Sequence, residues 1–81
     1  MHDSMKFAAA QMRLEEFSMM LPPDREFIHI KTWTKYRVLS TSLREHDLVP
    51  VVTYLDPHTG LRWTRPCEEF VDARRYVPAY N

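Results

Sequence analysis

The chain has 81 residues, 44% hydrophobic and 12% aromatic, which is the composition of a folded domain and not of a disordered segment. Its 11 basic and 11 acidic residues cancel. The net basic footprint of a protein that binds nucleic acid or an anionic membrane is therefore missing, and we expect neither partner. A single cysteine cannot form an internal disulfide, which favours a cytoplasmic location. The length predicts one domain over residues 1–81.

The N-terminal segment, residues 1–21, is predicted to be a helix from Asp3 to Met20. Asp3 or Ser4 can accept hydrogen bonds from the amides of the first turn. The helix cannot continue past Pro22-Pro23, because both residues lack an N–H and the second restricts the first. Its apolar side chains cover a wide arc, so we predict a helix contact surface for a second copy or a protein partner. This surface comprises Met5, Met12, Phe17, Met19 and Met20.

After the prolines, the apolar residues alternate with the period of β-strands. The predicted strands are Glu26–Trp33, Lys35–Ser42, Val49–Leu55 and Leu61–Arg65. Pro50 indicates either an edge strand or an irregular start of the third strand. Pro66 ends the fourth strand and can open a short helical turn over Cys67–Phe70. Residues 71–81 are predicted as a C-terminal arm, either a short strand or partly ordered.

The turn Asp56–Gly60 predicts a hairpin between the third and fourth strands, because proline presets the first turn dihedral and glycine accepts a left-handed backbone. A five-residue loop would pair Leu55 with Leu61, Thr53 with Trp63, and Val51 with Arg65 on one face of the hairpin. Tyr54 with Arg62, and Val52 with Thr64, would then occupy the opposite face.

Four or five short strands need closure or a cover, because a small open sheet exposes its edges. We therefore predict an α+β fold: an N-terminal helix followed by a small, strongly bent antiparallel sheet. The expected form is an SH3-like, partly open barrel with its core over residues 26–70.

Short motifs in residues 27–70 also carry a family resemblance. They are Phe27-Ile28-His29-Ile30-Lys31, Tyr36-Arg37-Val38-Leu39, Pro50-Val51-Val52-Thr53-Tyr54, and Leu61-Arg62-Trp63-Thr64-Arg65-Pro66 followed by Phe70. In them the chain resembles the domain of unknown function DUF1653, found in small bacterial and phage proteins. The family's His-Ser-Glu-Thr loop is here Arg44-Glu45-His46-Asp47, and one residue is inserted before Trp63. The resemblance implies the barrel fold and, by analogy, an accessory or inhibitor protein acting on a host component.

Six residues are the candidates for binding a ligand or partner at the barrel rim: His29, Lys31, Tyr36, Tyr54, Trp63 and Arg65. Trp63 and Arg65 together offer a flat apolar ring and a fork of N–H donors, which suits a phosphate, a carboxylate or a stacked base. For Trp63 the favoured alternative is a place at the centre of the core. For Arg65 the alternative is a rim salt bridge with Glu68, Glu69 or Asp47.

The other titratable residues do not indicate a catalytic site. For His29 the favoured interpretation is a buried ring that is satisfied by a backbone carbonyl. Glu45-His46-Asp47 with His58 lacks the paired spacing of a zinc site, so no metal is predicted. Cys67 is expected to be a buried structural thiol, because two acids follow it directly. We expect no cofactor and no enzymatic activity.

The sequence therefore predicts a small non-enzymatic protein-binding module, either oligomeric or bound to a larger protein. Its interaction surface would combine the helix with the rim of the barrel. The alternative is a rim pocket for a small anionic ligand such as a nucleotide or a modified base.

Overall fold

A computed structural model describes residues 4–72 and 75–79. Its elements in chain order are α1 (Ser4–Met20), β1 (Glu26–His29), β2 (Thr34–Leu43), β3 (Pro50–Leu55), β4 (Arg62–Pro66), α2 (Cys67–Phe70) and β5 (Tyr76–Pro78). Asp3, one of the two expected helix caps, lies outside the described residues. Among those residues, every helix falls short of the length and apolarity that a bilayer crossing requires.

The end of α1 confirms the prediction made from the twin prolines. The helix stops at Met20, and the N–H of Leu21 makes a last helical bond to the carbonyl of Phe17 at 2.8 Å. The side of α1 that packs on the sheet carries Ala10, Leu14, Phe17 and Ser18, spaced by three or four residues. The hydroxyl of Ser18 lies 2.9 Å from that of Thr41 on β2.

The strands form one antiparallel sheet in the order β4-β3-β2-β1-β5. The first four make a meander, and the chain then passes through α2 and returns β5 to the free side of β1. A register shift between Val38 and Ser40 interrupts the β2–β3 ladder, and an extra residue of this kind bends a strand. β4 and β5 are the two edges, so the sheet is not closed. The predicted α+β fold with a small, partly open barrel is confirmed.

The core lies on one face of the sheet, called the inner face here. It is a cluster of eight buried residues: Leu21, Phe27, Val38, Val52, Tyr54, Cys67, Phe70 and Tyr76. Phe70 from α2 is central, because its ring stacks on Tyr76 at 4.2 Å and contacts Phe27 edge-on at 5.1 Å. Moving an aromatic side chain from water into the core stabilises a domain by about 2–3 kcal/mol. α2 and β5 therefore supply the side chains that complete the core formed on β1, β2 and β3.

β1 is shorter than predicted. It ends at His29, and the chain turns so that the N–H of Trp33 donates to the carbonyl of His29 at 2.7 Å. Trp33 has a φ of 58°, a left-handed conformation that large side chains rarely adopt. Its side chain is 74% exposed. Trp33 is therefore a turn residue and not the end of a strand.

Pro50 is the first residue of β3, which lies between β2 and β4. The edge-strand interpretation is wrong, and Pro50 instead occupies the start of an inner strand. A proline at the first position is tolerated because the ladder loses little from its missing N–H there.

The β3–β4 hairpin is shifted by one residue from the predicted register. Tyr54 pairs with Trp63 and Val52 pairs with Arg65. Leu61 belongs to the turn, since its carbonyl accepts from the N–H of Asp56 at 2.9 Å. A slip of one residue exchanges the two faces of a strand. Trp63 and Arg65 therefore share the inner face with Tyr54, which the predicted register had placed opposite them.

Trp63 is not the central core residue. Its side chain is 50% exposed, and the centre of the core is filled by Phe70 instead, whose ring lies 5.0 Å from that of Tyr54. The reason is position: β4 is an edge strand, and Trp63 stands beyond Tyr54 at the open side of the barrel. The prediction that Trp63 lies at the centre of the core is therefore wrong, and its indole is accessible at the rim.

Candidate functional site

A cleft of about 380 Å³ opens at the inner face of the sheet, and we call it the rim cleft. Its lining residues are His29, Thr32, Tyr36, Tyr54, Trp63, Thr64, Arg65 and Tyr76. Five of the six rim candidates lie in it, and the sixth, Lys31, lines an adjoining cleft. The sequence prediction thus names residues that the fold brings together.

The strand pairings explain this convergence. Residues that pair directly across antiparallel strands project from the same face. The pairs His29 with Tyr76, Tyr54 with Trp63, and Val52 with Arg65 join β1 to β5 and β3 to β4. Because the sheet is strongly bent, these strands present their side chains to one shared space.

Arg65 is held in the cleft by two neighbours. Its Nε donates a hydrogen bond to the hydroxyl oxygen of Tyr54 at 3.0 Å, and its Nη1 lies 3.7 Å from a carboxylate oxygen of Glu69. The bond to Tyr54 is the main cause that raises the pKa of Arg65 above its ordinary value. The predicted rim salt bridge is present, with Glu69, but the side chain stays 41% exposed. A ligand can therefore still reach the guanidinium.

His29 is half-buried, with a threonine as its hydrogen-bond partner in place of the expected backbone carbonyl. Its Nδ1 lies 3.0 Å from the hydroxyl of Thr32, which in turn donates to the hydroxyl of Thr34 at 3.0 Å. Because a threonine hydroxyl has one hydrogen, Thr32 accepts from His29. The neutral ring therefore carries its hydrogen on Nδ1 and leaves Nε2 as an acceptor. The ring also contacts that of Tyr76 at 4.8 Å.

Next to the rim cleft lies a second cleft of about 370 Å³, called the basic cleft, lined by His29, Lys31, Arg65 and Arg75. The two clefts share His29 and Arg65. Arg75 is braced by Glu69, with 2.8 Å between its Nη1 and the carboxylate oxygen. Burial lowers the pKa of His29 below 6.5, and the charges of Arg65, Lys31 and Arg75 lower it further. The cleft is therefore a positively charged environment.

Tyrosines form the floor of the rim cleft. Tyr36 and Tyr54 meet edge to face with 5.1 Å between ring centroids. Burial is the main cause that raises the pKa of Tyr36 and of Tyr76, and a hydrogen bond with Tyr54 raises that of Tyr76 further. These phenols therefore keep their hydrogens at physiological pH, where they can act as hydrogen-bonding groups but not as bases.

The single cysteine, Cys67, is not placed to act as a nucleophile. Cys67 is fully buried, and burial raises the pKa of its thiol to about 11, so it is not a thiolate near neutral pH. Within residues 4–72 and 75–79, no group of three metal-binding side chains comes together. The arrangement is suited to binding, through aromatic surfaces and fixed cations.

Sequence reasoning missed four lining residues: Thr32, Thr64, Arg75 and Tyr76. Tyr76 and Arg75 lie in the segment predicted as an arm, and they reach the site because β5 pairs with β1, nearly fifty positions earlier in the chain. No local pattern marks such a pairing. Thr32 could have been proposed from its position three residues after His29, which places a hydroxyl near the ring when the chain turns.

The helix contact surface is exposed for the most part. Met5, Met12 and Met19 are 80%, 64% and 82% exposed, and Met20 is also exposed. Phe17 differs from the other four: it is half-buried and packs against the core cluster. It belongs to the packed side of α1, because it lies one turn before Leu21 on the stripe that faces the sheet.

No protein-family model matches this chain, and no match to it was found among curated proteins or solved structures. The resemblance of residues 27–70 to DUF1653 therefore stays a prediction. The function has to be argued from the geometry of the two clefts.

Proposed function

We propose that this chain is a small non-enzymatic binding module whose rim cleft holds an anionic ligand with a flat ring, such as a nucleotide or a modified base. The observation that carries the proposal is the meeting of Trp63 and Arg65 with His29 in one cleft. An accessible indole and a braced guanidinium stand on the same face of the same edge strand.

The aromatic side chains supply the surface for a ring. Trp63 is half-exposed at the rim, and Tyr36 and Tyr54 line the floor of the same cleft. Stacking of a base on an aromatic side chain contributes about 1–3 kcal/mol and tolerates different bases. The hydroxyl group of Thr32 adds a group that can hydrogen-bond the ring edges.

The cations supply the preference for an anion. A guanidinium presents N–H donors in a fixed plane, and it pairs well with phosphate or carboxylate oxygens. Tyr54 already fixes the plane of Arg65, so less side-chain entropy is lost when a ligand binds. The overall neutrality of the chain agrees with a local site for a small anion better than with a surface for a nucleic-acid polymer.

A thermal-shift screen against nucleoside mono-, di- and triphosphates and modified nucleosides tests the proposal. A ligand that binds the folded state raises the melting temperature by mass action. We expect such a rise in the wild type, and its loss in Arg65→Ala. Arg62→Ala is the matched control: it removes the same charge from β4, but its side chain lies on the opposite face. No response to any ligand, or equal loss in both variants, would contradict the proposal.

A second candidate is protein binding through α1, and the exposed methionines favour it. Met5, Met12 and Met19 recur every seven residues and lie along one side of the helix. Methionine is flexible and polarizable, which suits an adaptable contact surface. A homo-oligomer or a protein partner would cover this side of α1. In the setting that the DUF1653 resemblance implies, the partner is a host component met in the cytoplasm by a bacterial or phage accessory protein.

Light scattering coupled to size-exclusion chromatography tests self-association through this surface. We expect the wild type to associate as its concentration rises, and a variant with Met5, Met12 and Met19 replaced by glutamine to stay monomeric. A wild type that remains monomeric throughout would remove the homo-oligomer and leave only a separate protein partner for this surface.

A further inference from the structure

We propose that the basic cleft is a phosphate-binding subsite, which takes a doubly charged phosphoryl group and gains a proton on His29 when it does so. The inference rests on the proposed function, because the ring of the same ligand would lie in the adjoining rim cleft. It assigns the ligand to the phosphate monoesters, such as nucleoside monophosphates.

The balance of charge favours a dianion. Three cations, Lys31, Arg65 and Arg75, stand around the cleft, and one carboxylate, that of Glu69, contacts two of them. Among the described residues, two of the three positive charges are left without a matching negative charge. Within residues 4–72 and 75–79, Lys31 has no ion-pair partner at all. A carboxylate ligand would neutralise one of these charges, whereas a phosphate dianion neutralises both.

The two arginines are held in place before any ligand arrives. Glu69 bridges the two arginines, with one oxygen 2.8 Å from Nη1 of Arg75 and 3.7 Å from Nη1 of Arg65. Tyr54 accepts from Nε of Arg65 on the other side. A phosphoryl group has three terminal oxygens that accept charge-assisted hydrogen bonds from such forks and from an ammonium group. A set of donors from three side chains is more than the two oxygens of a carboxylate need.

His29 is the part of the cleft that responds to pH. Several elements supply the groups that line a cleft with His29 or act on its charge: Lys31 and Thr32 in the turn after β1, Tyr36 on β2, Tyr54 on β3, Arg65 on β4, Arg75 and Tyr76 around β5, and Glu69 on α2 through the two arginines. The neutral ring donates from Nδ1 to Thr32, so Nε2 carries a lone pair that would oppose an anion. A proton on Nε2 turns it into a donor.

These contacts determine whether anion binding strengthens or weakens as the pH falls. In the free protein, burial and the three cations keep the pKa of His29 below its ordinary value. A bound dianion offsets the cations and raises that pKa. Between the free and the bound pKa values, binding therefore takes up a proton, and affinity rises as pH falls. Below the free pKa the ring is already charged, and affinity no longer changes with this group.

Sulfate is the probe that isolates the effect, because it stays doubly charged over the range in which phosphate itself titrates. We would follow the imidazole signals of His29 by NMR from pH 8 to pH 5, with and without sulfate. We expect sulfate to raise the pKa of His29 and to bind several-fold more tightly at pH 6 than at pH 8. His46 and His58, both exposed on other loops, serve as internal controls that should not respond.

Two kinds of variant separate what the charge of Lys31 and the proton on His29 contribute to sulfate affinity. Lys31→Ala should weaken sulfate binding several-fold, whereas Lys35→Ala, on the opposite face of the sheet, should not. His29→Gln retains a donor for Thr32 and should bind sulfate with an affinity that no longer depends on pH. An unchanged pKa of His29 in saturating sulfate, or equal shifts at His46 and His58, would overturn the inference.

Failure of the phosphate subsite can be distinguished from failure of the proposed ring-binding site. If unphosphorylated nucleosides bind at the rim cleft and neither sulfate nor phosphate binds, the phosphate subsite is wrong and the ring site stands. If sulfate binds as described and nucleoside monophosphates bind no more tightly than sulfate, the subsite stands and the ring site is wrong.

Discussion

Arg65 and Tyr54 are joined across neighbouring strands by a hydrogen bond of 3.0 Å from the guanidinium Nε to the phenol oxygen. Tyr54 pairs directly with Trp63, so Arg65 is its diagonal neighbour on the same face. This one contact links the core to the candidate site, because the ring of Tyr54 is buried while its hydroxyl orients the cation that a ligand would meet.

Tyr54→Phe removes this hydroxyl and leaves the ring in the core. We expect the free energy of unfolding to fall by about 1–2 kcal/mol, because the hydroxyl is bonded to both Arg65 and Tyr76 and each bond has a net value of about 1 kcal/mol. We also expect the affinity for a nucleotide to fall several-fold, because Arg65 loses its orientation. Urea denaturation and titration calorimetry measure the two effects. Thr53→Val is the control for the affinity, since it removes a hydroxyl from the same strand on the opposite face; equal losses in both variants would contradict the role given to Tyr54.

Trp33→Gly should increase the stability of the protein. Trp33 has a φ of 58°, which costs an L-residue about 1–2 kcal/mol and costs glycine nothing. Its side chain is largely exposed, so little packing is lost. After the greater entropy of glycine in the unfolded chain is subtracted, we expect a gain of about 0.5–1 kcal/mol in the free energy of unfolding.

Trp33→Val is the opposing control, because a β-branched residue is strained further in the left-handed region and should lower stability. Both are measured by urea denaturation. A Trp33→Gly variant less stable than the wild type would mean that the indole makes stabilising contacts.

Cys67 should resist alkylation while the protein is folded. Its side chain is fully buried and the pKa of its thiol is raised to about 11. At pH 8 the reactive thiolate is then rarer than in an unfolded chain by a factor of about 100 or more. Reaction with iodoacetamide followed by mass spectrometry should be slow in buffer and fast in denaturant. Similar rates in the two conditions would place the thiol at the surface.

Phe70→Ala should destabilise the protein severely. Phe70 is fully buried and its ring contacts Phe27, Tyr54 and Tyr76. Truncation of a buried phenylalanine costs about 3–5 kcal/mol. This is a large share of the total free energy of unfolding of a small domain. Phe70→Leu is the milder variant that keeps the protein folded for measurement by circular dichroism. A loss below 1 kcal/mol in Phe70→Ala would contradict the central place given to this ring.

The fold class was predictable because its signals are local. Pro22-Pro23 ends α1, and Gly60 at a φ of 75° takes the left-handed place expected of it in the β3–β4 turn. The register of that hairpin was not predictable, because it depends on whether Leu61 joins the turn or the strand. That single residue decides which face Trp63 and Arg65 occupy, and local propensity does not distinguish the two choices.

The candidate site was predictable in part. Residues of β1 to β4 could be named from strand-like motifs, but Arg75 and Tyr76 reach the site only through the pairing of β5 with β1. On α1 the difficulty was different, since the exposed methionine stripe and the stripe ending at Leu21 are both apolar. Only the packing of the sheet decides which of them is buried.

The most direct test of the account is to map ligand binding onto the fold by NMR. We would titrate the ¹⁵N-labelled protein with a nucleoside monophosphate and follow the backbone amides and the indole signal of Trp63. We expect shifts concentrated at His29, Lys31, Trp63, Arg65 and Arg75, with Lys35 and Arg62 on the opposite face unaffected. Absence of shifts at millimolar ligand, or shifts centred on that opposite face, would contradict the claim that the two clefts form one anion-binding site.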